Sequence, residues 1–140
     1  MWSSRISGLV VAGLFVLASG LQAQGAYHVS RTFALGGDGS WDYVVPDPTS
    51  HRVYIGRANR VMVVDETTGK LLGEVTGING AHGTAIASKS GHGFATSGND
   101  SAVVMFDLGS FKVLGRIHAA EDADAIIYDA GVESRFHLQR

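Results

Sequence analysis

The chain has 140 residues, of which 45% are hydrophobic and 17% charged, and its formal net charge at pH 7 is −2. This composition is typical of a globular domain, and a small negative charge without a basic stripe argues against a nucleic-acid-binding protein. The absence of cysteine excludes disulfides, thiolate catalysis, zinc sites with cysteine ligands, iron–sulfur clusters and covalently attached c-type haem.

Residues 1–23 have the layout of a secretory signal peptide. A short first segment carries one positive charge, Arg5, and the uncharged apolar run ISGLVVAGLFVLASG follows it. Cleavage after Ala23 would leave a small residue at the cut. The alternative is an N-terminal membrane anchor, but the apolar run is shorter than the roughly 20 residues of a spanning helix. We therefore expect a mature chain of residues 24–140 that is periplasmic or secreted, with no membrane span after cleavage.

The chain that follows is predicted to form short strands and almost no helix. Residues 27–37, YHVSRTFALGG, read as the outer strand of a preceding sheet. Four further segments are rich in Val, Ile, Leu and Tyr, and turn-forming residues separate them. These segments are DYVVPD (42–47), RVYIGR (52–57), RVMVVDE (60–66) and KLLGEV (70–75).

The four predicted strands recur once and begin a third time. KLLGEV returns as KVLGRI (112–117) at a spacing of 42, and residues 42–54 match residues 82–94 at a spacing of 40. A third copy begins with DAIIYD at residue 124. Four strands in 40–42 residues is the period of a β-propeller blade. The sequence thus predicts an all-β fold, a partial propeller with blades at about 42–77 and 82–118.

Glycine and aromatic positions in the repeat carry further expectations. Gly69 is expected at positive φ in a hairpin turn, and Phe111 takes its place in the second copy, so that turn is expected to use another geometry or Gly109. Gly73 recurs as Gly115, which predicts a bulge or close backbone approach in the outer strand of each blade. The side chains of Trp41 and Tyr43 are expected in the core between blades.

These repeats resemble those of the YVTN-repeat, YncE-like β-propeller family. The likeness is carried by DYVVPDPTSHRVYIGRANRVMVVDETTGKLLGEV, by HGTAIASKSGHGFATSGNDSAVVMFDLGSFKVLGRI and by DADAIIYD, and it covers roughly residues 27–129. The resemblance implies an exported propeller of about seven blades, whose N-terminal strand often completes the last blade. It is weak as a guide to function, because the wider superfamily includes both binding proteins and oxidoreductase subunits.

Two blades leave apolar sheet faces and strand edges without cover, so we expect further blades or self-association through the open faces. The C-terminal residues 130–140, AGVESRFHLQR, depart from the repeat pattern. For one permissible set of codons, a shift of one base turns VESRFHLQR into SKAVFTFN, a turn followed by an alternating strand. Our hypothesis is a truncation by frameshift near residues 129–131, and the alternative is a natural short end.

Asp42, His82 and Asp124 occupy the same position in the three copies, at the start of the innermost strand. In a propeller these starts ring the mouth of the central channel, where two carboxylates and an imidazole can bind a cation or act as acid and base. The alternative is that they cap strand ends by bonding loop amides. We predict them as ligand-binding residues, with no catalytic residue, no metal site and no cofactor.

The sequence favours an exported binding or scaffolding module without catalysis of its own. Its partner is an unknown protein or small-molecule ligand. The alternatives are a fragment of a propeller oxidoreductase or hydrolase with its site at the channel mouth, and a remnant without function.

Overall fold

The computed structural model describes residues 27–131 and the backbone of residues 136–139. The predicted signal peptide, residues 1–23, lies outside the described residues. Among the described residues, no helix has the length and apolar character needed to cross a membrane.

Two antiparallel sheets of four strands each form the body of the molecule. The first has the order β1 (Val44–Asp47), β2 (Arg52–Arg57), β3 (Arg60–Asp65) and β4 (Leu71–Thr76). The second has the order β5 (Ala81–Ala87), β6 (His92–Ser97), β7 (Ala102–Asp107) and β8 (Val113–His118). The described helical structure consists of two single 3-10 turns, Ser88–Ser90 and Gly98–Asp100. The prediction of a four-stranded repeat with almost no helix is confirmed for this part of the chain.

The third copy of the repeat forms a two-stranded antiparallel sheet. Its first strand, β9 (Ala125–Tyr128), lies against β5, and its second is β10 (Phe136–Gln139). The sequence pattern predicted β9 but not β10. The backbone of β10 pairs with β9 in the same antiparallel sense as β2 pairs with β1.

The main apolar core lies between the two four-stranded sheets. Tyr54, Val61 and Val63 of the first sheet pack with Val104 and Phe106 of the second, and all five have 0% relative exposure. The alternation of β-branched residues along β3 places one side of the strand in this core. Each sheet thus buries one face against the next repeat, as propeller blades do.

The opposite face of the first sheet is covered by the chain that precedes it. Ile55, Met62 and Val64 form a second cluster, and Leu35 packs against it. The prediction of a strand at residues 27–37 is wrong, because the structure has no strand between residues 27 and 43. Gly36 and Gly37 have φ values of +54° and +85°, which end any extended conformation there.

The hairpin turns of the two outer strand pairs share one geometry. Gly69 has the predicted positive φ of +71°, and Phe111 also has a positive φ, +61°. In both turns, the amide of this residue donates to the carbonyl of an aspartate four residues earlier, Asp65 or Asp107, at 2.9 Å. The expectation of a different geometry around Phe111 is therefore wrong. The strain of a positive φ is tolerated because the partly buried ring packs against the main core.

Gly73 shows both features that its recurrence predicted. The pairing of β3 with β4 shifts register between Val63 and Val64, which is a bulge, and a Cβ on Gly73 would lie 2.5 Å from the Phe111 ring. The equivalent Gly115 lies at the matching bulge of β7 and β8, but a Cβ there would meet nothing nearer than 4.0 Å. Gly73 therefore leaves space for the Phe111 ring of the second blade. Gly115 lies at a bulge but has no such close approach.

The outer strands leave apolar side chains exposed. On β4 these are Leu71 (45%) and Leu72 (40%), and on β8 they are Val113 (40%), Leu114 (50%) and Ile117 (50%). Ile117 is the repeat equivalent of Val75, which is fully buried. The outer strand of the second blade is thus less buried than the outer strand of the first.

Candidate functional site

The three innermost strands β1, β5 and β9 lie side by side and begin at the same end of the molecule. Asp42 lies two residues before β1, His82 is the second residue of β5, and Asp124 immediately precedes β9. One side-chain ligand atom from each lies within 4.8 Å of those of the other two. The structure therefore brings the three residues singled out by the repeat into one cluster, called the mouth cluster below.

The closest contact in the mouth cluster joins Asp42 and His82. Oδ2 of Asp42 lies 2.7 Å from Nδ1 of His82, and Oδ1 accepts a hydrogen bond from the amide of Tyr43 at 2.8 Å. The amide of Asp42 donates to the carbonyl of Gly56 at 3.0 Å, which fixes the backbone beside β2. One carboxylate oxygen thus bonds a local amide, as strand-end capping predicts, while the other meets the histidine.

Local backbone geometry sets the position of His82. The pairing of β5 with β6 is irregular between Ala81 and Thr84, so the backbone bulges at His82. A Cβ on Gly56 would lie 2.4 Å from the His82 carbonyl oxygen, and a Cβ on Gly98 would lie 3.2 Å from the imidazole Cδ2. The lack of a side chain at Gly56 therefore leaves space for the His82 backbone, and the lack of one at Gly98 leaves space for the imidazole ring.

Asp124 is held by the buried hydroxyl of Thr96. The carbonyl of Asp124 accepts hydrogen bonds from Thr96 Oγ1 at 2.8 Å and from the Gly83 amide at 3.0 Å. The side chain then lies with Oδ1 3.6 Å from Nδ1 of His82. Sequence analysis missed Thr96, because the first copy has Gly56 at the equivalent position and the repeat gives no signal there.

The mouth cluster can bind positive charge or hydrogen-bond donors. Nδ1 of His82 lies between the two carboxyl groups, which can accept a hydrogen bond from this nitrogen when it carries the imidazole hydrogen. Within residues 27–131, Nε2 of His82 makes no hydrogen bond, so it can still meet a ligand. The three side chains are 32–46% exposed. The nitrogen and two carboxylates are also a donor set that could hold a divalent cation.

A buried arginine holds the loop that leads into the mouth cluster. Arg57 has 0% exposure, and its guanidinium donates to the carbonyls of Gly36, Gly37, Asp38, Gly39 and Ser40 at 2.8–3.1 Å. The loop GGDGS lacks the side chains of a calcium site, and its carbonyl groups instead surround this side-chain cation. Sequence analysis missed Arg57, because a single arginine at a strand end carries no repeat signal.

The aromatic residues beside the loop are not in the core. Trp41 and Tyr43 are 54% and 46% exposed, so the expectation of burial between blades is wrong. The guanidinium of Arg57 lies over the Trp41 ring, 3.6 Å from the ring centroid, in a cation–π contact. The indole thus packs on the arginine that organises the loop, and part of it remains at the surface beside Asp42.

No protein-family model and no curated protein matches the sequence. Solved structures do match. Kuenenia stuttgartiensis hydrazine synthase is similar over 75% of this chain and 30% of its own, with a TM-score of 0.63 and 15% identity. The Myceliophteria thermophila Cps50 (Swd1) beta-propeller domain is similar over 71% of this chain and 31% of its own, with a TM-score of 0.60 and 13% identity. U3-55K is similar over 69% of this chain and 32% of its own, with a TM-score of 0.60 and 12% identity.

These likenesses show the fold alone. The chain is an all-β protein built as part of a β-propeller, as the repeat predicted. It spans about a third of the length of each of the three structures described above.

Proposed function

We propose that the chain forms part of an exported β-propeller of the YVTN-repeat, YncE-like type, which acts as a binding or scaffolding module in the periplasm or at the cell surface. The apolar run and Ala23 support export, the blade repeat supports the family, and the propeller fold supports a binding role by analogy. Cell fractionation with N-terminal sequencing tests export. A mature protein that begins at Gln24 supports it, and an unprocessed cytoplasmic protein contradicts it.

The observation that carries the proposal is the convergence of Asp42, His82 and Asp124. Three successive repeats each contribute one side chain to this point, although the first and last are 82 positions apart in the sequence. The residues are partly exposed, at the end of the innermost strands, where a propeller presents its channel mouth. A ligand that brings hydrogen-bond donors or positive charge meets two carboxylates and one imidazole there.

Site-specific photo-crosslinking tests the binding proposal. A photoreactive amino acid replaces Ser40, which lines the cleft beside the mouth cluster, in the full-length chain expressed with its leader. The crosslinked product is isolated from cells and identified by mass spectrometry. The proposal expects a defined adduct whose yield falls at least fivefold in the variants Asp42→Asn and His82→Gln.

The control places the same photoreactive group at Lys89, which lies in the exposed turn between β5 and β6. The defined adduct should be absent there. Equal yields of one adduct at Ser40 and at Lys89, or a yield at Ser40 that neither variant changes, would contradict a binding role for the mouth cluster.

A second candidate is a propeller oxidoreductase or hydrolase. The 2.7 Å contact of Asp42 with His82 favours it, because a carboxylate that orients an imidazole is a common arrangement for acid–base catalysis. The captured molecule separates the two candidates. A binding module returns it unchanged after incubation with the purified chain, whereas an enzyme converts it at a rate that His82→Gln abolishes.

Self-association through the open blade faces is part of the same proposal. The exposed residues of β8, Leu114 and Ile117, are the surface that would meet another copy or a further blade. Light scattering after size exclusion gives the mass in solution. Substitution of Ile117 by Asp should shift an assembly towards the monomer, and an unchanged mass would exclude β8 from the contact.

A further inference from the structure

All three asparagines of the 140-residue chain, Asn59, Asn79 and Asn99, line one cleft. The cleft has a volume of about 390 Å³ and lies beside the mouth cluster, with Asp42 and His82 in its wall. A cleft of this size lies within the range of small-molecule sites. The three amides are spaced 20 residues apart, and Asn59 and Asn99 occupy equivalent positions in the two blades.

Neighbouring side chains hold the three amides in place. Nη1 of Arg60 donates to Oδ1 of Asn59 at 2.9 Å. Nδ2 of Asn99 donates to Oδ1 of Asn79 at 3.1 Å, and Nδ2 of Asn79 donates to Oδ1 of Asp100 at 3.1 Å. The backbone amide of Asn79 donates to Oγ of the fully buried Ser97 at 2.9 Å. A Cβ on Gly80 would lie 3.0 Å from the Asn99 side chain. These contacts orient the amide groups before any ligand arrives.

The chemistry of the wall selects among ligand classes. The other polar side chains in the wall are Ser40, Asp42 and His82, and the rest of the wall is two alanines and one glycine. The wall has no lysine or arginine to attract a phosphate or carboxylate, and no large apolar side chain to bind an apolar ligand. Amide groups both donate and accept hydrogen bonds, and so do hydroxyl groups. The cleft therefore matches a neutral ligand with several hydroxyl groups.

An aromatic residue, Trp41, lies between two cleft-lining residues in the sequence. Trp41 stands between Ser40 and Asp42, which both line the wall, and its side chain is 54% exposed. The Arg57 guanidinium holds the ring at 3.6 Å. Trp41 is not among the residues that line the cleft, so the amides and the carboxylate are the groups that suit a sugar ring, which has hydroxyl groups at its edge.

We infer that the ligand of this end of the propeller is a saccharide, bound in the cleft by Asn59, Asn79 and Asn99. The inference rests on the proposed binding function of the mouth cluster and adds the chemical class of the ligand. Each amide contributes hydrogen bonds to ligand hydroxyls that a methyl group cannot replace. Loss of one such amide corresponds to a several-fold weaker affinity.

Saturation-transfer NMR on the full-length chain tests the inference, with chitobiose, cellobiose and maltose as probes and the dipeptide Ala-Ala as a non-saccharide probe. We expect transfer to at least one disaccharide and none to Ala-Ala. In Asn59→Ala and in Asn99→Ala, the dissociation constant of that disaccharide should rise about three- to tenfold. Lys89→Ala, in an exposed turn outside the cleft, should bind as the parent chain does.

The inference is overturned if none of the three disaccharides binds, if Ala-Ala binds comparably, or if both asparagine variants bind the disaccharide as well as the parent chain. The two variants lie in different blades, so a folding defect of one leaves the other informative, and circular dichroism verifies the fold of each. The crosslinking at Ser40 separates this failure from that of the proposed function. A non-saccharide adduct that depends on Asp42 and His82 would retain the binding module and reject the saccharide.

Discussion

Replacing Arg57 by methionine tests how the loop before the first sheet is held. Methionine has similar length and is apolar, so the volume at the site changes little while the guanidinium is lost. The substitution leaves the carbonyl groups of Gly36, Gly37, Gly39 and Ser40 without this donor and removes the stacking partner of Trp41. The Asp38 carbonyl keeps the hydrogen bond that Arg60 donates at 2.9 Å. The same loop leads directly to Asp42, so the mouth cluster loses its support at the same time.

The expected cost follows from the contacts of this fully buried side chain. Hydrogen bonds to a charged group each contribute about 1.5–3 kcal/mol, and a desolvated cation–π contact contributes about 2 kcal/mol. These gains are largely offset in the native protein by the desolvation of the guanidinium, so they cannot be summed. The groups that lose the guanidinium are uncharged carbonyls, and leaving such a group without its donor costs about 1–3 kcal/mol, so we expect Arg57→Met to lower the free energy of unfolding by about this amount or more.

Urea unfolding followed by far-ultraviolet circular dichroism measures this cost. The control is Arg116→Met, because the Arg116 side chain is 44% exposed and pairs with Asp100 at the surface, where such a pair contributes about 0–1 kcal/mol. The fluorescence of Trp41 should also change in Arg57→Met and not in the control. A loss of stability in Arg57→Met no larger than that of Arg116→Met would refute the account of the carbonyl-lined arginine.

Three further predictions concern the repeat and its charges. Gly73→Ala should lower the free energy of unfolding by about 1–3 kcal/mol, because the new methyl group meets the Phe111 ring. Gly115→Ala has no such neighbour and should cost less than about 0.5 kcal/mol. Equal losses of stability in urea unfolding would contradict this difference between the two glycines. The hydrogen bond with Glu66 raises the pKa of His51, so this interaction is fully present below the usual pKa of about 6.5 and is lost as the pH rises through the raised value. NMR titration should show a lower His51 pKa in Glu66→Gln, and an unchanged pKa would argue against the contact. The Ser110 hydroxyl and amide lower the pKa of Asp107. The stabilisation that these hydrogen bonds give the turn is therefore present above the usual aspartate pKa and is lost as the pH falls through the lowered value. In Ser110→Ala, the pKa of Asp107 measured by NMR should rise.

The strands and the mouth cluster follow from features that a repeat makes visible. The segment RVYIGR forms β2 over its full predicted length, because β-branched and aromatic residues between turn formers leave little choice of structure. The positions of Asp42, His82 and Asp124 are equivalent in three copies, and blades of one kind stack in register. Equivalent positions in neighbouring blades therefore meet, and their proximity could be predicted without any contact information.

The features that the sequence did not predict depend on contacts specific to one copy. Phe111 adopts a positive φ because its ring fills the space above Gly73, and a residue at that turn position gives no sign of a partner in the previous blade. Residues 27–37 have the composition of a strand, but their region has no strand, and Leu35 covers an apolar face that a preceding blade would otherwise bury. Arg57 is polar at a strand end and would normally be exposed, and only the carbonyl groups of a glycine-rich loop make its burial possible.

The affinity of the ligand captured by crosslinking, measured for the parent chain and for Asp124→Asn, tests the central claim most directly. Asp124 lies in the third copy and outside the wall of the asparagine-lined cleft, so it reports on the mouth cluster itself. The account predicts that calorimetry on the full-length chain gives a dissociation constant at least tenfold higher for Asp124→Asn, because His82, which lines the cleft, loses the charge of one of its two carboxylate neighbours. Equal dissociation constants for the two chains would mean that the convergence of the three residues has no part in binding.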